Sequence, residues 1–345
     1  MTAAASLVSD NLRDPLVTIA IPTFNRAALL QDCLAAALGQ TYGNFEVLVS
    51  DNASTDETAE ILKSLSDRRL HFVRQEANIG LLRNLNALLE NVRGEFVVFV
   101  PDDDRIAPVM LERCIALTKC EQNIPAIVAL CDVWFVARGQ DWRAPANQRL
   151  GTGIWDGAEI LYEFLKDRMS VAMCSVMYRT ERLRAGGGFP LDFPYAADIA
   201  TWAPLLLEGR AGLVNEACAT IALHDASQTS DLTIDVRVSD GRKVVNLIAG
   251  AADRHLADPR ERRKIKIEAE RHFARRAVKM IALYRRQGAA FLDVVSLMWR
   301  LRHVVMKIKD IGQLAKLCIV LFLPAPIVRW VRYAVKLLHN VKLAE

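Results

Sequence analysis

The sequence predicts an α/β fold organised on a parallel sheet with helices on both faces. Three observations lead there. Short apolar, β-rich runs alternate with segments whose apolar residues recur at helical spacing. The runs are largely apolar rather than alternating, as strands covered on both faces are. Polar and acidic residues follow directly on several runs, at the strand ends where such sheets bind ligands.

The first strand is Val17 to Ile21, ended by Pro22, and Thr23-Phe24-Asn25-Arg26 turns the chain. A helix follows over 27–39, with Leu29, Leu30, Cys33, Leu34, Ala37 and Leu38 at helical spacing and Gly39 as its stop. The second strand, Phe45 to Ser50, runs into the polar loop Asp51 to Thr58, where Ser54 or Thr55 is expected to cap a helix. Leu70 to Val73 is a third strand, and Asn78-Ile79-Gly80 leads into a helix over 81–92.

The strand Phe96 to Val100 then delivers Pro101 and three consecutive carboxylates, Asp102, Asp103 and Asp104. Adjacent like charges repel unless a cation or several donors balance them. Hard oxygen ligands of this kind suit Mg²⁺ or Mn²⁺. A solvated acidic loop is the alternative.

Downstream, the pattern gives a helix over 108–117, a strand over 126–136 and a polar loop over 138–153. A short helix over 156–166 has Asp156 as its cap. A strand spans 172–178, and Gly186-Gly187-Gly188 forms a turn suited to close approach of a ligand or to a hinge. The stretch Ala197 to Trp202 leads into a helix ending near Gly209, and residues 211–224 contain a last strand, followed by a polar loop over 225–230. From about Arg237 the chain reads as helical and basic.

The net charge of +4 conceals an asymmetry. Residues 254–345 carry 21 Lys and Arg against 7 Asp and Glu, whereas residues 1–253 carry 23 against 33. A basic tail on an acidic body points to an anionic surface as its partner. Nucleic acid ranks low, because few aromatics interleave with the charges. The uncharged stretch 317–328 is broken by Pro324 and Pro326. It is shorter than the roughly 20 residues a spanning helix needs. Trp330, Tyr333, Arg329, Arg332 and Lys336 beside it suit a membrane interface; a helical cap on the body or a dimer interface is the alternative. Seven scattered cysteines without a C-x-x-C pair argue against zinc or a disulfide framework and for a reducing compartment. The first 14 residues lack a basic stretch followed by an apolar core, so no secretory signal is expected.

Five motifs in a fixed order carry a family resemblance. Val17 to Arg26 resembles the opening strand and turn of family 2 glycosyltransferases, and Ser50-Asp51-Asn52-Ala53-Ser54-Thr55-Asp56 resembles their nucleotide loop. Asn78-Ile79-Gly80 with Arg83, Asn84 and Asn86 resembles their N-x-G-x-x-x-x-N segment. The triplet resembles their D-x-D element, and Asp198 with Trp202 resembles their E-D-x-x-x-W, with Ala197 replacing the common Glu. The resemblance covers about residues 15–230.

It implies a GT-A fold, a Rossmann-like mixed sheet, over residues 15–235. A nucleotide-binding half would end near 105 and an acceptor half would fill 106–235. A tail (1–14) precedes them and a helical basic region (236–345) follows. It also implies an inverting, metal-dependent transfer of a sugar from a nucleotide-diphosphate sugar, UDP-linked first and GDP- or dTDP-linked next. The acceptor would be a glycan or lipid-linked, in bacterial cell-surface polysaccharide synthesis.

By the same resemblance Asp198 is the general base. Pro22, Thr23, Asn25, Asp51, Asn78, Arg83, Asp102 and Asp103 contact the donor. Asp104, Asp102 and His224 hold Mn²⁺ or Mg²⁺. Trp202 is either an acceptor floor or core, and Ser227 and Thr229 are candidate phosphate contacts. The expected location is cytoplasmic and peripheral to the inner membrane. A sugar-nucleotide nucleotidyltransferase is one competitor, weakened because Pro22 to Arg26 has no glycine. A noncatalytic sugar-nucleotide- or glycan-binding relative is the other, kept open by Ala197.

Overall fold

The computed structural model describes residues 14–121, 123–224, 232–286 and 288–302. The N-terminal half alternates as expected: β1 (Val17–Thr23), α1 (Ala27–Leu38), β2 (Phe45–Asp51), α2 (Thr58–Ser64), β3 (Leu70–Arg74), α3 (Leu81–Asn91) and β4 (Phe96–Phe99). β5 (Arg105–Ile106), α4 (Met110–Thr118), β6 (Ala126–Phe135), β7 (Gln140–Trp142), β8 (Gly153–Asp156) and α5 (Gly157–Leu165) follow. Then come β9 (Val176–Arg179), α6 (Thr180–Ala185), α7 (Ala197–Leu206), β10 (Arg210–Leu223), α8 (Ile234–His255), α9 (Pro259–Arg286) and α10 (Phe291–Arg300).

One mixed sheet runs β3-β2-β1-β4-β9-β6-β10-β5, with β7 on β6 and β8 on β10. β3, β2, β1 and β4 are parallel. β9 is antiparallel to both β4 and β6, so this one strand runs against its neighbours at the middle of the sheet.

Alternation along each strand assigns its side chains to opposite layers. Ala20, Leu48, Val97 and Phe99 face the layer of α3, α5 and α7. Ile19, Ile21, Val47, Val49 and Val98 face that of α1 and α4. Val244, Ile248 and Ala252 of α8 and Ile265 and Ala269 of α9 belong to the first core, so these helices complete the body's packing. Their seam is also ionic. Arg275 donates to Asp167 Oδ2 at 2.8 Å and to Glu268 Oε1 at 3.0 Å, and His272 Nδ1 lies 3.2 Å from Asp167 Oδ1. Burial pushes the Asp167 carboxyl up, but His272, Lys279 and Arg275 outweigh it and hold it below the ordinary range.

Several local expectations are corrected. β1 runs through Pro22 to Thr23. Ala20 O accepts from Val100 N on the β4 side, and Thr23 O accepts from Asn52 N on the β2 side. The missing N–H of Pro22 therefore faces the β4 side, where that ladder has already ended. α2 starts at Thr58, and neither Ser54 nor Thr55 caps it; Asp56 Oδ1 accepts from Thr58 N instead. Residues 173–175 form a tight turn, not strand, closed by Ser175 Oγ accepting from Ala172 N. The loop over 138–153 contains β7. Within the glycine triplet the chain passes close to α3: a Cβ on Gly188 would lie 2.5 Å from Asn86 Oδ1. The Asp156 cap is present, accepting from Ala158 N at 2.8 Å.

β10 is irregular against β6. From Val214 to Ala217 it advances three residues while β6 advances one, and from Ala217 to Ala219 two while β6 again advances one. Bulges of this kind re-aim the strand beyond them. Among the described residues no helix is long and apolar enough to cross a membrane. The stretch 317–328 lies outside the described residues, as do Ser227 and Thr229.

Candidate active site

A cleft of about 330 Å³ opens beyond the C-terminal ends of β1 and β4. The β1 turn and the aspartate triplet form one wall. The end of β10, the start of α7 and residues Phe273 and Arg276 of α9 form the others.

Each carboxylate of the triplet meets a partner within the chain. Asp102 is buried at 4% exposure; it accepts from Thr23 Oγ1 at 2.8 Å and from Arg26 Nη1 at 3.0 Å. Burial lifts its carboxyl to about 6, against the pull of Arg26 and Thr23. Asp103 accepts from the same Arg26 nitrogen at 2.9 Å, and His224 Nε2 stands 3.0 Å from its Oδ2. Asp104 Oδ1 accepts from the Ala222 amide at 3.1 Å. Burial, then the neighbouring Asp103, pushes the Asp104 carboxyl well up.

The three expected metal ligands, Asp104, Asp102 and His224, have these partners within the chain. Asp104 is engaged by the backbone of β10, while His224 meets Asp103. Among the described residues no three His, Cys, Asp or Glu side chains form a ready cluster for a metal. Yet Asp103, in the cleft lining, meets His224 Nε2, so a carboxylate oxygen and an imidazole nitrogen come together beside the cleft. A divalent ion commonly takes one or two protein ligands and completes its shell with phosphate and water oxygens. This donor pair suits Mn²⁺.

Asp198 lies in the first turn of α7, half-buried and lining the cleft. Burial raises its carboxyl above the ordinary aspartate range; the Ile199 amide and the nearby Arg276 charge act in the opposite sense. Ala197 is packed into the core at 6% exposure. Trp202 is core as well, fully buried and edge-on to Phe164 at 4.7 Å.

The other expected donor contacts divide. Pro22 and Thr23 line the cleft. Asn25 adopts a left-handed backbone (φ 53°), and its Oδ1 accepts from Thr55 N at 2.7 Å, which ties two loops together. Asp51 Oδ1 accepts from Ser54 N at 2.8 Å and its Oδ2 accepts from Arg74 at 2.9 Å, so the carboxylate closes its own loop. Asn78 Oδ1 accepts from Asn52 Nδ2 and from Gly80 N, both at 2.9 Å, and Asn52 borders the cleft. Arg83 is exposed on α3 and does not line this cleft.

Sequence reasoning missed Arg26, Tyr195, Phe273 and Arg276 as cleft residues. Arg26 had a signal: it is the cation of the turn that faces the triplet. Arg276 had none, being one arginine in a strongly basic helix.

The family model for glycosyl transferase family 2 matches residues 18–181. An uncharacterized protein of Mycobacterium tuberculosis is 38% identical over 215 residues, 59% of this chain and 66% of the relative. Chondroitin synthase of Pasteurella multocida is 25% identical over 244 residues, 68% of this chain. The chain thus spans just under two thirds of the mycobacterial relative, and the match spans 23% of the synthase. Residues 1–349 of S. aureus TarS, solved in complex with UDP-GlcNAc, superpose with a TM-score of 0.61. That match has 20% identity and covers 84% of this chain and 87% of the other, a likeness of fold.

Proposed function

The chain belongs to glycosyl transferase family 2 and has the GT-A fold, and on that premise we propose an inverting transfer from a nucleotide-diphosphate sugar to a glycan or lipid-linked acceptor. UDP-linked donors come first, GDP- and dTDP-linked ones next. The observation that supports the reading is a division within one cleft: Asp103 and Arg26 stand at one wall, with His224 against Asp103, and Asp198 stands at another.

The nucleoside diphosphate lies toward the β1 turn, with Pro22 and Thr23 beside it. Arg26 offers it positive charge at the start of α1. Asp103 and His224 would hold Mn²⁺ or Mg²⁺, which when bound neutralises charge on the departing diphosphate. Asp198, ionised, takes the proton of the acceptor hydroxyl. The freed oxygen attacks the anomeric carbon from the face opposite the diphosphate, and the C–O bond to the diphosphate breaks with its electron pair. Burial makes Asp198 a stronger base than an exposed aspartate, which suits proton abstraction from a hydroxyl.

The acceptor belongs to bacterial cell-surface polysaccharide synthesis in this reading. The basic C-terminal tail keeps the enzyme at the cytoplasmic face of the inner membrane, through attraction to anionic lipids. Removing residues 303–345 releases the protein from anionic vesicles in this reading; continued sedimentation with them overturns the tail's role.

A thermal-shift screen of nucleotide sugars, with and without Mn²⁺, tests the core of the reading. A ligand that binds only the native state raises the melting temperature by mass action. The donor should do so in a Mn²⁺-dependent manner. No shift with any UDP, GDP or dTDP sugar would remove the transferase reading, and equal shifts in chelator would remove the metal from it.

A further inference from the structure

We propose that the cleft continues past Asp198 into an oxyanion subsite for the acceptor, built by α8 and α9. The proposal rests on the transferase reading for one point only, that the Asp198 end of the cleft receives the acceptor. The chemical class it assigns is an acceptor bearing a phosphate or a carboxylate close to the reacting hydroxyl.

A second cavity, of about 260 Å³, shares Tyr195, Phe273 and Arg276 with the catalytic cleft. It adds Arg237 and Arg242 from α8, with Glu270 as the acid in its wall. No residue of β1 to β4 or of the aspartate triplet borders it. The two cavities therefore meet at Arg276, and the second leads away from the donor side.

Arg276 is half-buried, and among the described residues it makes no hydrogen bond and no ion pair. Its neighbour Arg275 is by contrast held by Asp167 and Glu268. The charge of Arg276 is felt by Asp198, but the two are not joined in an ion pair. A guanidinium has five donors and loses hydration when it is drawn into a cavity. An oxyanion that docks on it restores those bonds, often through two parallel N–H···O contacts.

The surrounding wall is fixed rather than loose. Tyr195 N donates to Asp240 Oδ2 at 2.7 Å, and Asp240 is 1% exposed. Arg237 lies 5.2 Å over the Tyr195 ring and donates from Nε to Leu232 O at 3.0 Å. Tyr195 and Phe273 provide aromatic faces beside the charge, a combination that suits an anionic sugar or a sugar linked to phosphate. The segment of the chain outside the family match thus supplies the acceptor contacts.

Titration of the full-chain protein by calorimetry, in saturating UDP and Mn²⁺, tests this. Glycerol 3-phosphate and glucuronic acid are the anionic probes; glycerol and glucose are their neutral counterparts. At least one anionic probe should bind about tenfold tighter than its counterpart. Arg276→Gln should erase that preference, Arg276→Lys should keep part of it, and both variants should bind UDP within about twofold of the parent. A preference for glycerol 3-phosphate assigns a phosphate, and one for glucuronic acid assigns a carboxylate. The subsite is overturned if the anionic probes bind only when UDP is absent, if no preference exists, or if Arg276→Gln weakens UDP while leaving the preference intact. If the protein binds no nucleotide, the transferase reading fails; the same probes titrated without nucleotide then still measure the preference and its dependence on Arg276.

Discussion

Arg26 Nη1 lies 2.9 Å from Asp103 Oδ2, and the same nitrogen lies 3.0 Å from Asp102 Oδ1. One internal cation thus bridges two of the three carboxylates, where a divalent ion was expected from the sequence. Both groups line the cleft, and the Arg26 side chain is 14% exposed. In the proposed transfer, Asp103 is the carboxylate that would exchange partners when a diphosphate arrives. Asp103→Asn should lower turnover of the donor by about a hundredfold and Mn²⁺ affinity by about tenfold. Steady-state kinetics and metal titration check this; unchanged Mn²⁺ affinity would return the metal to Asp104 or Asp102.

Asp198→Asn should leave donor binding within about twofold and reduce transfer by about a hundredfold or more. The acid limb of the pH–rate profile should sit above the ordinary aspartate range, because burial favours the protonated form of Asp198. Activity should rise with pH through that limb, since the base acts ionised. Transfer at the parental rate in Asp198→Asn would place the base elsewhere.

Asp167 makes a prediction about stability. Its folded-state carboxyl is held below the ordinary range. Its contribution is therefore fully present above pH about 4 and is lost as pH falls further through the folded value. Asp167→Asn should cost about 1–2 kcal/mol at neutral pH, less than for a fully buried pair because the side chain is 31% exposed. Denaturant melts at pH 7 and pH 3 should show the two proteins converging at the lower pH.

Gly157→Ala should be among the most damaging single-methyl additions. The new Cβ would stand 1.8 Å from Leu206 O and 2.8 Å from Gly209 O, both backbone atoms that cannot rotate away. A cost of about 3 kcal/mol or more is expected. Gly43→Ala, with nothing within 4 Å of its Cβ, is the control and should stay within about 0.5 kcal/mol of the parent. Calorimetric melting of both variants decides the point.

The N-terminal layers were legible because hydrophobic period reports which face a residue takes. Ile19 and Ala20 duly go to opposite cores. The Asp156 cap was legible because it acts on a neighbour two residues away. The aim of each carboxylate in the triplet was not. It is decided by groups remote in sequence: Arg26, 76 residues from Asp102, and the Ala222 amide, 118 residues from Asp104. The partners of Asp51, the Ser54 amide and the Arg74 guanidinium, were likewise not legible from its place at a strand end. Arg276 was illegible because a basic helix gives no sign of which arginine its packing draws inward.

The uneven advance of β10 along β6 has a consequence for how this protein can change. Residues Ala222 and His224 reach Asp104 and Asp103 only in the phase that those slips set. Shifting a strand by one residue turns every later side chain to the other face. The stretch from Val214 to Ala219 therefore works as a gauge block for the aspartates. A single deletion there, among residues that do not line the cleft, would swing His224 away from Asp103 and take the Ala222 amide from Asp104. Substitutions in this stretch can be absorbed one by one, whereas changes of length cannot. Comparable enzymes that differ in length here should differ in which residue meets the triplet.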